Sequence, residues 1–312
     1  MEKTLSLGLD TSNYTSSVAL LDGDTILENR RKLLTVKSGE RGLRQSDALF
    51  QHWNNLPELL GPVLKNYSDR IARICVSTKP RPIEGSYMPV FGAGVSMARV
   101  LSDALNVPRA ECSHQEGHIL AASLGNDIDF SIPVLCAHLS GGTLEIVKYY
   151  EGNIEIVSAT LDISYGQLID RTGVAMGFGF PAGKDVDRLA MEYAYSNGGI
   201  NAKHKNPMCK AAVKENGLNI SGMENQIIKC LDKFSKPEIA YFLMERISES
   251  FVKIMEQAVE KSKVTQVLVS GGVASSTFLR EYCSPLGYMF GQQNLCSDNA
   301  VGVARFKNLI KE

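Results

Sequence analysis

Two short apolar strands in this chain run into the same tripeptide. Val134 to Leu139 ends in Ser140-Gly141-Gly142, and Val267 to Val269 ends in Ser270-Gly271-Gly272. A buried strand that stops at two glycines leaves the following backbone N–H groups uncovered by side chains, as in a phosphate or ribose seat. Beyond the second turn, Ala274 to Tyr282 has helical spacing, so a helix N-terminus adds its partial positive charge. One such tripeptide is a weak signal. Two, each closing an apolar strand, predict an α/β chain with nucleotide in a central cleft.

The strand–turn–strand theme opens both halves. Leu5 to Leu9 passes through Asp10-Thr11-Ser12 and further hydroxyl residues into Val18 to Leu21, with a hairpin turn at Asp22-Gly23-Asp24. Thr11 and Ser12 sit where a bend can offer donors to a phosphate, an ordinary Ser/Thr turn being the plain alternative. Val134 to Leu139, Leu144 to Tyr150 and Ile154 to Ser158 form the second meander, around Glu151-Gly152-Asn153. This repetition predicts two lobes, 1–129 and 130–312, with a terminal helix 299–312 packing back on the first.

The chemistry-bearing stretch is Cys112-Ser113-His114-Gln115-Glu116-Gly117-His118. Two of only five histidines stand four residues apart, a spacing that stacks both imidazoles on one helix face and lets them share a metal ion. Two packed histidines without metal are the alternative. Ser113 is the expected N-cap. Glu116 excludes a zinc protease of the His-Glu-x-x-His type, where the glutamate follows the first histidine. Here it lies roughly 200° round the helix from His114 at 3.6 residues per turn, pointing away from an ion held by the pair. Near the chain end, Asp298 in Cys296-Ser297-Asp298-Asn299-Ala300 is either the third ligand or simply the cap of the terminal helix.

Totals exclude several classes. With 44% apolar and 21% charged residues over 312 positions, a substantial core is available. A formal net charge of -1 argues against bulk capture of nucleic acid while leaving room for a local basic patch. Seven scattered cysteines, without Cys-x-x-Cys, read as reduced core thiols. No apolar signal core and no membrane-length run is present, so the expectation is a cytoplasmic protein without membrane association.

The remaining segments are expected to be supporting structure. Arg30 to Arg44 carries Arg30, Arg31, Lys32, Lys37, Arg41 and Arg44 against Glu40, and reads as a solvated face or mobile loop. Ser46 to Leu64 is an amphipathic helix that Pro57 kinks or divides, with His52 and Trp53 as packing residues. Ser77 to Gly94 is a long loop before a helix from Val95 to Leu105. Asp170 and Pro181-Ala182-Gly183 suit either ribose contact or a helix cap and turn. Residues 191–236, with Lys203, Lys205, Lys210 and Lys214 around His204, read as a mobile or inserted segment or a partner surface. Ile239 to Lys261 is a long core helix. His138 faces opposite to Leu139 on its strand and reads as packing.

Together these stations resemble the tRNA threonylcarbamoyladenosine synthase family, also called the glycoprotease or O-sialoglycoprotein endopeptidase family, over nearly the whole chain. The family's His-x-Glu-Gly-His stands here as His114 to His118, its Ser/Thr-Asp-Asn as Ser297-Asp298-Asn299, and its Ser-Gly-Gly-Val-Ala as Ser270 to Ala274. Its aspartate followed by Pro-x-Gly is Asp170 with Pro181-Ala182-Gly183. The resemblance implies the actin-like (sugar kinase, heat-shock, actin) ATPase fold, two α/β lobes around a nucleotide cleft. It implies one divalent metal, iron or zinc, on His114, His118 and Asp298. It also implies an ATP or acyl-adenylate site at Leu139, Ser140, Gly141, Gly142, Thr143, Asp170, Gly183 and Ser276, to which the turns read above add Ser270, Gly271, Gly272, Thr11 and Ser12.

The implied reaction is transfer of a threonylcarbamoyl group from its adenylate to adenosine in tRNA. The implied partners are tRNA and a small subunit of the same fold, in a homo- or heterodimer. A non-catalytic nucleotide-binding paralogue and a carbamoyltransferase acting on a small molecule are the other readings. The departures are specific. Ser-Gly-Gly-His-Thr reads Ser140-Gly141-Gly142-Thr143-Leu144, removing a substrate-side histidine, and no residue is identified as catalytic. Ala-Gly-Glu reads Tyr165-Gly166-Gln167, Ser-Gly-Leu-Lys reads Ser221-Gly222-Met223-Glu224, and an asparagine is Ser276.

Overall fold

The computed structural model describes residues 2–12, 14–36, 43–200, 205–215 and 217–306. The chain divides into two compact units, residues 1–125 with 151–154 and 297–312, and residues 126–150 with 155–296.

The first unit holds β1 (Leu5–Asp10), β2 (Thr15–Asp22), β3 (Thr25–Leu33), α1 (Gln45–Tyr67), β4 (Ile71–Lys79), α2 (Phe91–Leu105), β5 (Arg109–Ser113) and α3 (His114–Ser123). Its sheet runs β3-β2-β1-β4-β5, antiparallel where hairpins join the strands and parallel where helices cross over. Every residue of β1 is buried, as befits a strand with a neighbour on each side. The core is the leucines of β1 and β2 against Leu56, Leu59, Leu60 and Val63 of α1.

Three expectations shift here. Helix α1 runs unbroken through Pro57 and Pro62. Trp53 is 50% exposed rather than packed, whereas His52 is fully buried against the Ser16 hydroxyl at 2.8 Å. The long loop shrinks to 80–90, because β4 continues to Lys79 and α2 starts at Phe91. Of the basic run, Arg30, Arg31 and Lys32 lie on the sheet-edge strand β3, where charge discourages further strand pairing. Lys37, Glu40 and Arg41 lie outside the described residues.

The second unit holds β6 (Val134–Leu139), β7 (Leu144–Tyr150), β8 (Asn153–Thr160), α4 (Tyr165–Ala175), α5 (Gly183–Ser196), β9 (Ala212–Lys214), β10 (Gly217–Asn219), α6 (Ser221–Cys230), α7 (Lys236–Ser262), β11 (Val267–Ser270), α8 (Thr277–Cys283) and β12 (Met289–Phe290). The sheet order is β12-β11-β6-β7-β8-β10-β9. Helix α7 is the core's axis, burying Ile239, Leu243, Ile247, Phe251, Ile254 and Met255. Most of residues 191–236 is built into the fold, correcting the mobile-insert reading. Asn206 donates to the carbonyl of Phe242 at 2.8 Å, and Arg246 to that of Met208 at 2.9 Å. Lys203 and His204 lie outside the described residues.

A short terminal helix, α9 (Val301–Arg305), belongs to the first unit; residues 307–312 of the expected longer helix lie outside the described residues. Gly302 of α9 lies directly on the Gly117 carbonyl of α3, where a Cβ would also come within 2.5 Å of the Ala121 nitrogen. Arg305, almost completely buried, donates to the carbonyl of Leu120 at 2.6 Å and the Ser123 hydroxyl at 2.7 Å, and pairs with Asp24 at 2.9 Å. On the other side, Ser6 of β1 donates to the Ala304 carbonyl at 2.7 Å. Helix α9 is therefore clamped between α3 and β1.

Two outcomes are expected. Gly302→Ala forces backbone apart at the α3–α9 crossing and lowers unfolding free energy by about 1–3 kcal/mol, measured by denaturant titration. In the second unit, Asp162 accepts backbone hydrogen bonds from Ile163, Ile220 and Ser221 at 2.7–3.1 Å. Burial nudges its carboxyl pKa up, but the Ser221, Ile220 and Ile163 hydrogen bonds outweigh this and hold it well below the ordinary 3.8. A depressed pKa contributes stability above the unfolded value that is lost as pH falls through the folded one. Thermal melts of Asp162→Asn therefore show a smaller loss of stability between pH 4 and pH 2 than the parent.

Candidate metal centre and glycine turns

The backbone of β5 hands directly into α3 at Ser113. Its hydroxyl accepts from the Glu116 N–H at 3.2 Å, and the Glu116 carboxylate accepts from the Ser113 N–H at 2.7 Å. This reciprocal capping box gives Glu116 its role and leaves the opposite side of the first turn to His114 and His118. The two Nε2 atoms stand 3.0 Å apart. A carboxylate oxygen of Asp298 lies 3.3 Å from His118 Nε2 and 3.7 Å from His114 Nε2.

Asp298 is not the helix cap. The cap position of α9 is Ala300, and Asn299 before it tightens the approach, its side-chain oxygen accepting from the Val301 N–H at 2.9 Å while its amide donates to the Ser297 carbonyl at 2.7 Å. Arg31 donates to the Ser297 hydroxyl at 2.8 Å, so the segment presenting Asp298 is held from both sides. Among the described residues, His114, His118 and Asp298 form the cluster with metal-ligand character, their donor atoms all within 4.8 Å of one another. A tetrahedral ion with bonds of about 2.1 Å spaces its ligand atoms about 3.4 Å apart. The donor set of two imidazoles and a carboxylate thus fits such an ion in spacing and in chemistry.

Behind the pair stands Asp10, at the end of β1 and fully buried. Its Oδ1 lies 3.3 Å from His114 Nδ1, and it accepts hydrogen bonds from the hydroxyls of Ser12 (2.6 Å) and Ser77. Burial alone would raise its carboxyl; the charge and hydrogen bond of His114, then Ser12 and Ser77, bring it below the ordinary value. Burial likewise lowers His114, and Asp10 followed by Asp298 overcomes this and raises its pKa to about 9. Asp10 and Ser77 were missing from the sequence-derived site. The one available signal was an aspartate ending an apolar strand.

The hydroxyls of Thr11 and Ser12 are committed within the first unit. Thr11 donates to the Val90 carbonyl at 3.0 Å and accepts from the Gly94 N–H at 3.2 Å, and Ser12 donates to Asp10. They act as turn and helix-end ties.

In the second unit, parallel pairing of β6 with β11 sets Ser270 beside His138, so both glycine turns leave the same sheet end as neighbours. Gly271 takes φ +92°, and a Cβ there would lie 2.6 Å from the Leu139 carbonyl carbon, a position only glycine tolerates. Ser140 folds its turn closed, its hydroxyl accepting from the Thr143 N–H at 2.9 Å and the Gly142 N–H at 3.4 Å. The turn rests on α4, where Ser164 donates to the Gly141 carbonyl at 2.7 Å and Gly166 permits contact with the Gly141 backbone. Gly141, Gly142 and Gly272 have open space around them. His138 is more than packing, since its Nδ1 lies 3.3 Å from the Ser270 hydroxyl.

Asp170, on α4, accepts from the Ala182 N–H at 2.8 Å and so ties the start of α5, where Gly183 is the first residue. Burial raises its carboxyl pKa above the ordinary value, partly offset by the Ala182 and Gly183 N–H groups. Ser276 caps α8, accepting from Leu279 N–H at 3.1 Å and donating to Asp187 of α5 at 2.5 Å. Two sequence departures find local partners. Gln167 completes a capping box with Ser164, and the reversed charge of Glu224 meets Arg171 at 2.8 Å.

The profile of the family described as "tRNA N6-adenosine threonylcarbamoyltransferase" matches residues 31–305. A protein of that name from Neorickettsia sennetsu is 27% identical, across 97% of this chain and 93% of its own length. HypF of T. kodakarensis superposes with a TM-score of 0.60 at 12% identity, across 98% of this chain, which spans about half (48%) of the HypF chain. A ROK family glucokinase from Streptomyces griseus, solved with glucose and AMPPNP, gives 0.51 at 10% identity, over 96% of this chain and 98% of the kinase. At such identities the two structures speak for fold alone, and that fold is the actin-like ATPase fold. With its profile match, its histidine pair and its glycine turns in family order, the chain belongs to the tRNA N6-adenosine threonylcarbamoyltransferase family.

Proposed function

We propose that this protein transfers a threonylcarbamoyl group from its adenylate to N6 of an adenosine in tRNA, in the cytoplasm. The observation that carries this reading is the convergence of His114, His118 and Asp298 in a chain with the family's profile. The N6 lone pair attacks the carbamoyl carbonyl carbon, the bond from that carbon to the phosphate oxygen breaks, N6 gives up a proton and AMP departs. His114, His118 and Asp298 would hold one divalent ion, iron or zinc, which when bound supplies Lewis-acid polarisation of a carbonyl or phosphate oxygen.

The chain's remaining contribution is seating the adenylate. The open turns at Gly141-Gly142 and Gly272 allow close approach to the phosphate and ribose, beside Leu139, Ser140, Thr143, Ser270 and Gly271. Asp170, Gly183 and Ser276 keep the starts of α5 and α8 in register with those turns. Thr143 stands where the family carries a histidine. The amine must therefore be oriented by the RNA and the turn backbone, and this substitution also favours a slower enzyme or a non-catalytic paralogue as the competing reading. A small subunit of the same fold is the proposed partner, in a dimer with this chain.

Expression in a host depleted of its own synthase, followed by nucleoside analysis of its tRNA, tests the proposal. Wild type is expected to restore threonylcarbamoyladenosine. His114→Ala and Asp298→Ala are expected to lower the modification rate at least ~100-fold and to lose bound metal. Nucleotide binding with no restored modification supports the non-catalytic reading instead.

A further inference from the structure

The opening Asp10-Thr11-Ser12 has the look of a phosphate turn, yet its side chains face another task. We propose that Asp10, steadied by Ser12 and Ser77, is a positioning residue of the metal centre that fixes which nitrogen of His114 meets the ion. This rests on the metal reading above.

A neutral imidazole carries one N–H, so a partner that accepts at one nitrogen leaves the other bare. The Asp10 carboxylate stands 3.3 Å from Nδ1 of His114, while Nε2 of the same ring faces His118 Nε2 and Asp298. With Nδ1–H donated to Asp10, the lone pair on Nε2 points at the shared position. An ionised carboxylate only accepts, so the Ser12 and Ser77 hydroxyls both spend their protons on it. One of these supports sits two residues along the turn and the other on the neighbouring strand β4.

Asp10 is thus held from the sheet, fully buried, and cannot swing to serve as a ligand or a phosphate contact. The Ser12 proton points inward, and Thr11 is tied to Val90 and Gly94. The motif's polar side chains are occupied, Thr11 at α2 and its approach, and Ser12 on the Asp10 carboxylate that faces the histidine. Such outer partners commonly change metal affinity by about 10–100-fold.

The test uses full-length protein stripped by chelator and titrated with Zn²⁺ alone against a chromophoric competitor. Wild type is expected to bind one ion per chain. Asp10→Ala is expected to keep that stoichiometry with affinity weakened about 10–100-fold, Asp10→Asn and Ser77→Ala less so, with Asp10→Glu failing to restore full affinity because the longer side chain displaces the ring. Long-range ¹H–¹⁵N spectra of the zinc-loaded wild type read the tautomer directly. Nδ1 of His114 protonated and Nε2 metal-bound supports the proposal whether or not a variant folds. Wild-type affinity in a folded Asp10→Ala, or ligation through Nδ1, overturns it while leaving the metal centre intact. Failure of wild type itself to bind Zn²⁺ overturns the metal reading and this inference together.

Discussion

Close contact between α3 and α9 is the constraint on which the candidate centre depends. The histidines come from a helix in the middle of the sequence and the carboxylate from near its end. They meet because Gly302 has no side chain to hold it off the Gly117 carbonyl. Gly117 lies between the two histidines, and Gly302 lies just beyond Asp298, so the crossing point and the ligand cluster are one piece of geometry. Arg305 reinforces it, with buried hydrogen bonds to the C-terminal part of α3. Packing that would be unremarkable elsewhere here sets a ligand spacing.

The electrostatics follow from that packing. Two imidazoles with facing Nε2 atoms and a carboxylate at hand are a poor arrangement unless a cation, a proton or a metal, sits among them. Asp10 adds a second negative charge behind His114, which raises that imidazole's affinity for positive charge. Glu116 is engaged elsewhere, its carboxylate accepting from the Ser113 N–H and hydroxyl in the capping box at the helix N-terminus. A hydrolytic role for that glutamate would require breaking the cap that starts the helix carrying both ligands.

Much of this was legible from sequence. The i, i+4 histidines, the Ser113 cap, the glycine turns as strand ends and the strand meanders appear as read, because each rests on local spacing, whereas the helix read from Ala274 starts only at Thr277, after a 3-10 turn over Gly272–Ser275. Asp298 was legible as one of two readings, third ligand or helix cap, and it joins the cluster while the cap position proves to be Ala300. Long-range relations were not legible. Nothing local marks Asp10 as the partner of His114, Ser77 as its support, or Gly302 as the crossing residue, for these depend on strand register and helix approach. The exposure of Trp53 and the order of much of 191–236 were misjudged for the same reason: polarity and aromatic content do not reveal which neighbours a segment finds. The Thr11 and Ser12 hydroxyls illustrate the converse. Their composition suited a phosphate, and tertiary contacts had already taken them.

The decisive question is whether one ion sits at the junction of α3 and the Asp298 segment. Anomalous diffraction at the metal's absorption edge, from crystals of the purified full chain, measures this directly. A single peak is expected about 2.0–2.2 Å from Nε2 of His114, Nε2 of His118 and a carboxylate oxygen of Asp298. A metal peak located elsewhere, or none at this position in protein loaded with iron or zinc, would contradict it.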